Sequence, residues 1–520
     1  MKFSWIFPTL LSVLCQIFEE IEGARILGIF PLEIPDHFVM YQEVLKGLAD
    51  RGHKVDVVSP YGLKRSHENY TTLINLAGKS SAMKNNLTGL SVKNVGGDYS
   101  PDTYGNKICE LLDLPDFQSL VKTPPKDPPY DLVIAELFYA NCYLAFGRHL
   151  NVSVVAISPE EMPNYLNEPV GNPLNTAFVS QSTYGSFSAM NFWQRFKNTL
   201  WTAWSNFRIR RTTEVQNEII KKHFGSEMPG VRELERELAL VLVNSHHSIN
   251  GIRPKTPAVV EVGGLHIREE RTELTPEFKN WLNESTSGFI YVTFGSIIKI
   301  DSFPRETIAE LYKGFGKISP IRVLLKVGNS KKLPPAPKNV IMVKSVPQLE
   351  IFRHPNLKGF VTNGGLTGIQ EAVAFKIPII GIPMVSNQPR LIKNCVDKGI
   401  AVSLDYEEIT ESNFVSAVND IVNDPKYKAN LIAVSRQFLN RPTSSKDAAI
   451  FWIEHVIKHG GSLRSPATKL SWWQLSLLDI YATILITLST ILYLSKIFLL
   501  ILVRRLKRTD ATLPTSKKMV

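Results

Sequence analysis

The stretch Val361–Ala372, VTNGGLTGIQEA, sets two adjacent glycines between a short β-branched run and a helix-forming one. A strand–glycine–helix junction of this kind lets backbone amides at a helix N-terminus close on a phosphate. Glu371 follows on the same helix, and the residue before the glycines, Asn363, is a neutral amide. A lone NGG is usually only a turn, so the junction gains meaning from its surroundings.

Working outward, the same pattern recurs. GFIYVTFGS (288–296) reads as a strand entering a glycine turn, and RVLLKV, NVIMVK and IPIIGIP read as further strands with helical stretches between. The first half repeats the scheme. ARILGIF, KVDVVSP, YDLVIAE and VSVVAIS are strands, and YQEVLKGLADRGHKV is an amphipathic helix ending at Gly52. Strand–helix–strand units of these lengths are right-handed parallel crossovers. Two successive sets predict an α/β protein with two Rossmann-like domains and ligands at the carboxyl ends of the strands. The expected boundaries are 24–250 and 286–460, joined by a linker at 251–285 rich in glycine and proline, with the last helices crossing back. Residues 184–210, FSAMNFWQRFKNTLWTAWSNFRIR, read as a helix, either an ordinary amphipathic one or one that meets a membrane surface.

The 520 residues, 44% hydrophobic, exceed one core. Residues 1–23 read as an export signal: Lys2, then an apolar run from Phe3 to Phe18, then Gly23 and Ala24. Residues 478–503 read as a membrane-spanning helix, with Trp472 and Trp473 before it and RRLKR after it. That arrangement predicts a single-pass type I protein of the endoplasmic reticulum membrane, its body lumenal and its 504–520 tail cytosolic. The tail holds six Lys and Arg against one Asp, so about +5 of the net +11 is topological and argues against a nucleic-acid partner. Sequons stand at Asn69, Asn86, Asn151 and Asn283, and the chain ends KKMV, like a dilysine retrieval signal. Cys15 lies in the signal; Cys109, Cys142 and Cys395 are too few and scattered to indicate a disulfide framework or a metal site.

The stretch His354–Gly399, HPNLKGFVTNGGLTGIQEAVAFKIPIIGIPMVSNQPRLIKNCVDKG, resembles the signature of the membrane-anchored animal UDP-glycosyltransferases (glucuronosyl- and glucosyltransferases), most closely their insect members. RGHKVDVVSP, GNP at 171–173, VGGLH at 262–266, GS at 295–296 and VPQ at 346–348 extend the likeness over nearly the whole chain. The resemblance implies a GT-B fold, two Rossmann-like domains facing across a cleft. It implies inverting transfer of a hexose, most often glucose in the insect members, from a UDP-sugar to a small lipophilic acceptor. No bound cofactor or metal is implied, since the UDP-sugar is a co-substrate. Homo- or hetero-oligomers are left open.

By the same resemblance His37 is the general base, and Glu136 orients it where the family normally has Asp. Ser296, Gly364 and Gly365 contact phosphate, Glu371 accepts from the ribose hydroxyls, and Gln388 holds the transferred sugar. Gln348 belongs to the donor side. Three positions depart from the family pattern: Asn363 replaces His, Ser345 replaces a tryptophan that stacks on uracil, and Asn387 replaces Asp. Together these changes remove roughly 3–5 kcal/mol of donor binding as an upper bound. Two readings are open: an active transferase with a slowed or shifted donor preference, or a catalytically weak homologue that binds small molecules at the membrane.

Overall fold

A computed structural model describes residues 23–63, 65–79, 105–181, 190–296, 298–384 and 387–510. The export signal with Cys15, the Asn86 sequon and the dilysine end lie outside the described residues.

The apolar runs form strands because they are short, rich in Val and Ile and bracketed by turn residues. β1 (Arg25–Ile29), β2 (Lys54–Ser59), β3 (Tyr70–Asn75), β4 (Leu132–Glu136), β5 (Ser153–Ser158), β6 (Leu240–Val243) and β7 (Val259–Glu261) make one parallel sheet. Its order is β3-β2-β1-β4-β5-β6-β7. β8 (Phe289–Thr293), β9 (Arg322–Lys326), β10 (Val340–Val343), β11 (Leu357–Thr362), β12 (Ile379–Gly381) and β13 (Ala401–Ser403) make the other, ordered β10-β9-β8-β11-β12-β13. β1, β4, β5 and β8 are buried along nearly their whole length, which explains why they read as unbroken apolar runs rather than alternations.

Six helices form the site, the core beside it and the exposed apolar surfaces: α1 (Pro35–Asp50), α2 (Phe192–Thr212), α3 (Leu366–Phe375), α4 (Gln388–Asp397), α5 (Ser445–His459) and α6 (Leu478–Asp510). α5 comes after the second sheet in sequence yet packs in the core of the first. Ala449, Ile450, Ile453 and Val456 join Val44, Leu45 and Leu48 of α1 there. Gly47 permits this approach, because a Cβ on it would stand 2.4 Å from Ile450 Cδ1. Glu454 of α5 fixes the contact with Arg51 at 2.9 Å and the buried His53 at 3.4 Å.

The structure amends two expectations. β7 falls inside the stretch expected to be linker, so the first sheet runs past residue 250. Pro276–Asn283 is helical, and its Leu282 packs with Phe289 and Tyr291 of the second half, so the connection shortens to about 263–275. Cys109 and Cys142, too scattered in sequence to suggest a framework, form a disulfide across 33 residues. Only the fold brings them together, and no local spacing signals it. Cys395 is free and buried.

Residues Pro466–Val520 form a separate unit. Its α6 is long and apolar enough to cross a membrane, by length and composition.

Candidate active site

Each sheet reverses its strand order once, between β1 and β4 in the first and between β8 and β11 in the second. Such reversals leave a crevice at the carboxyl ends of parallel strands. Residues following β1 and β5 and residues following β8 and β11 line one cavity of about 440 Å³, within the range of small-molecule sites.

One wall is built by α1, which starts shortly after β1 with Pro35 in its first turn. Asp36 and His37 therefore stand at the crevice mouth. Glu136, the last residue of β4, lies beside them: its Oε1 is 3.2 Å from His37 Nδ1 and accepts from the Tyr41 hydroxyl at 3.0 Å. His37 and Tyr41 are one helical turn apart, so both reach the same oxygen. A carboxylate only accepts, so the proton of the neutral imidazole sits on Nδ1 and leaves Nε2 as an acceptor. The extra methylene of Glu136 is thus accommodated. Burial, and then Glu136, push the Tyr41 phenol well above its usual range, which keeps it a neutral donor. The Phe138 ring meets His37 edge-on at 5.1 Å.

The opposite wall consists of two matching turns. Thr293 and Thr362 are register partners at the ends of β8 and β11. Each hydroxyl accepts from an amide two residues on, Gly295 N at 3.2 Å and Gly364 N at 3.3 Å. Gly295 has φ +84° and Gly364 φ +89°, a left-handed backbone that glycine adopts without strain. At Gly364 space is short as well, since a Cβ would meet Ile392 Cγ1 at 2.6 Å. Gly365 then caps α3, whose N-terminal amides face the cavity mouth with their partial positive charge.

Nine of the eleven residues singled out from the sequence line this cavity: His37, Ser296, Ser345, Gln348, Asn363, Gly365, Glu371, Asn387 and Gln388. Glu136 lies behind His37, and Gly364 lies against Ile392. Glu371 is buried on α3 and accepts from Gln348 Nε2, while Tyr291 donates to Gln348 Oε1 at 3.1 Å. Burial pushes the Glu371 carboxyl up to about 8, and burial holds neighbouring His266, 3.5 Å away, down at about 4. Gln388 Oε1 accepts from Met384 N at 3.0 Å, which fixes its side chain at the start of α4. Ser345 is exposed beside Val346 and Pro347, and no aromatic side chain adjoins it in the sequence. Of the sequons, Asn69 and Asn151 are exposed, and Asn283 is exposed with its Oδ1 3.1 Å from His354 Nε2.

The sequence reading missed two contributors, Asp36 and Glu160. Asp36 Oδ2 accepts from the Ser296 hydroxyl at 2.8 Å, a contact between the two halves. Glu160, just beyond β5, hydrogen-bonds the Asn387 side chain. Its carboxyl is raised by burial, against the pull of His37, Arg390 and Asn387. Arg390 is buried and ion-paired with Glu161, which also takes Arg253 at 3.2 Å. The position of Glu160 at a strand's carboxyl end was the available signal.

A site where a helix N-terminus and two glycine turns face a histidine–carboxylate pair is that of a nucleotide-dependent group transferase. Residues 126–511 match the family model described as UDP-glucoronosyl and UDP-glucosyl transferase, and the chain belongs to that family. It is 31% identical to UDP-glucosyltransferase 2 of Dactylopius coccus over 95% of this chain and 96% of that one. It is 28% identical to an ecdysteroid UDP-glucosyltransferase of Lymantria dispar multicapsid nuclear polyhedrosis virus, over 89% and 93% of the two chains. The crystal structure of a glycotransferase of kitacinnamycin superposes with TM-score 0.56 at 15% identity, covering 84% of this chain and 99% of that one, and shares the fold. The fold is GT-B, and the protein is a UDP-glycosyltransferase that transfers a glycosyl group from a UDP-sugar.

Proposed function

We propose that the protein transfers glucose, with inversion, to the hydroxyl of a small lipophilic acceptor, using His37 as general base. The observation that carries this reading is the single cavity walled by the His37–Glu136 pair on one side and the two glycine turns on the other. His37 Nε2 takes the acceptor proton while the acceptor oxygen bonds to the anomeric carbon. The bond from that carbon to the diphosphate breaks on the opposite face, and UDP departs with the electron pair. Glu136 then stabilises the imidazolium. The growing phosphate charge meets the amides of Gly364, Gly365 and α3 and the Ser296 hydroxyl, with no bound cofactor. Glu371 receives the ribose hydroxyls, and Gln388 the sugar.

Three observations support a neutral sugar. Arg390 is engaged by Glu161, Glu160 and Asp36 place two carboxyl groups in the cavity, and two similar proteins are named glucosyltransferases. Ile34, Val39, Phe138 and Pro159 on the first wall suit an apolar acceptor, and one relative is named for an ecdysteroid. α6 as an anchor, the Cys109–Cys142 bridge and the exposed sequons Asn69 and Asn151 agree with a body in the oxidising lumen of the endoplasmic reticulum. The test is a mass-spectrometric screen of microsomes carrying the chain, with a panel of UDP-sugars against phenols, sterols and fatty alcohols. A β-glucoside formed from UDP-glucose, with no product from UDP-glucuronate, is expected. Absence of any glycoside, with UDP still bound, would favour the weak-binding reading that the Asp36–Ser296 contact also supports.

A further inference from the structure

α2 is amphipathic in the wrong sense for a surface helix. The face it turns to the body is polar: Asn198 and Thr202 are buried. Asn198 accepts from Gln181 N at 2.9 Å and donates to the carbonyls of Thr176 and Val179 at 2.7 and 2.9 Å. Ser205 accepts from Gln181 Nε2 at 2.9 Å, and Arg210 pairs with Glu168. Most of its large apolar residues face outward, while Ile209 packs on the core. Phe192 is 61% exposed, Trp193 65% and Trp204 56%, and Phe196, Leu200 and Phe207 are exposed too. At about 100° per residue these six fall within about a third of the helix circumference, opposite Asn198, Thr202 and Ser205. An ordinary surface helix does the reverse, and a contiguous aromatic patch of this kind marks an interaction face.

The chemistry of the face selects its occupant. α2 contains five basic residues, Arg195, Lys197, Arg208, Arg210 and Arg211, and no acidic one. Lys197, Arg208 and Arg211 are exposed and border the aromatic stripe. Aromatic and aliphatic residues flanked by bases complement an anionic lipid surface, with rings at the acyl boundary and cations on phosphates. A two-fold contact with a second copy would instead set these bases against their own images.

We propose that α2 lies in the plane of the membrane interface and is a second attachment of the body to the bilayer, in addition to the anchor α6. The proposal rests on the anchor reading only for bringing the body near lipid. The test uses the full chain in nanodiscs of phosphatidylcholine, with and without phosphatidylserine, carrying a photoactivatable diazirine lipid. Labelled peptides are mapped by mass spectrometry. Label is expected in 192–208 as well as in 478–503, stronger with phosphatidylserine. The variant W193S/F196S/W204S should lose about tenfold or more of the α2 label while still binding UDP, which shows that it is folded. Label in α6 but not α2 overturns the proposal and spares the anchor. Label in α2 alone upholds the proposal and removes the anchor, and label in neither removes both. Disulfide cross-linking of W204C chains to each other, without lipid label, would assign the face to a second copy and overturn the proposal.

Discussion

If Glu371 receives the ribose hydroxyls as a carboxylate, nucleotide binding must strip its proton, and the structure sets how much that matters. Burial raises this carboxyl to about 8, so it is about nine-tenths protonated at pH 7. Binding that requires the ionised form is then about tenfold weaker at pH 7 than its plateau, about a hundredfold weaker at pH 6, and level above pH 8 to 9. Glu371→Gln keeps the shape of the side chain and removes the titration. UDP affinity is measured by isothermal titration from pH 6 to 9 for both proteins. Their ratio cancels the nucleotide's own ionisation and should grow about fiftyfold in favour of the wild type between pH 6 and 8. Repeating the titration in buffers of different ionisation heat should show close to one proton released at pH 6.5 by the wild type and less by the variant. The same shift acts on folding with the opposite sense. A carboxyl raised above its ordinary value binds more protons folded than unfolded, so its stabilisation is complete below about 4.5 and lost as pH climbs through about 8. Wild-type stability should therefore fall by up to a few kcal/mol across that window, and Glu371→Gln should flatten the fall. A constant affinity ratio from pH 6 to 9 would show that no proton leaves Glu371 on binding and would overturn this linkage.

Other outcomes test the remaining parts. His37→Ala should lower kcat at least about a hundredfold with UDP affinity kept, and a near-normal rate would remove His37 from the chemistry. Asp36→Ser should tighten UDP binding about fivefold, because it frees the Ser296 hydroxyl and removes a negative charge from the phosphate side. Unchanged or weaker binding by calorimetry would show that the contact opposes nothing. Gly364→Ala should destabilise the protein by about 1–3 kcal/mol in thermal unfolding, since a left-handed residue would then press on Ile392. A Tm equal to that of the wild type would contradict this.

The parallel sheets were legible because strands buried on both faces leave unbroken Val and Ile runs, and the glycine junctions at β8 and β11 carry their meaning locally. β3, YTTLIN, lies at a sheet edge and shows neither an unbroken apolar run nor a strict alternation. β6 comes directly after helix-forming residues, and β7 and β13 are only three residues long, so tertiary pairing rather than local pattern defines all of these strands. The Cys109–Cys142 bridge is hidden for the same reason. Asp36 and Glu160 acquire their neighbours only when the two halves meet, so neither stands out in a reading that takes each motif alone.

That meeting changes the weight of the departures from the family pattern. Asn387 lacks a carboxylate, but its side chain holds Glu160, so the first half supplies across the cleft the carboxyl group that the second half has lost. The deficit at this position, about 1 kcal/mol if counted by sequence, is then offset, while at Ser345 no aromatic residue adjoins in the sequence to replace stacking worth about 1–3 kcal/mol. Restoring the family residue should therefore fail. Asn387→Asp would set two carboxylates side by side, raise the carboxyls further and weaken turnover of UDP-glucose. Glu160→Gln alone should weaken it too, and the two changes together should recover at least the activity of the better single variant. Additive losses in kcat/KM across this double-mutant cycle would mean that Glu160 does not stand in for the missing aspartate.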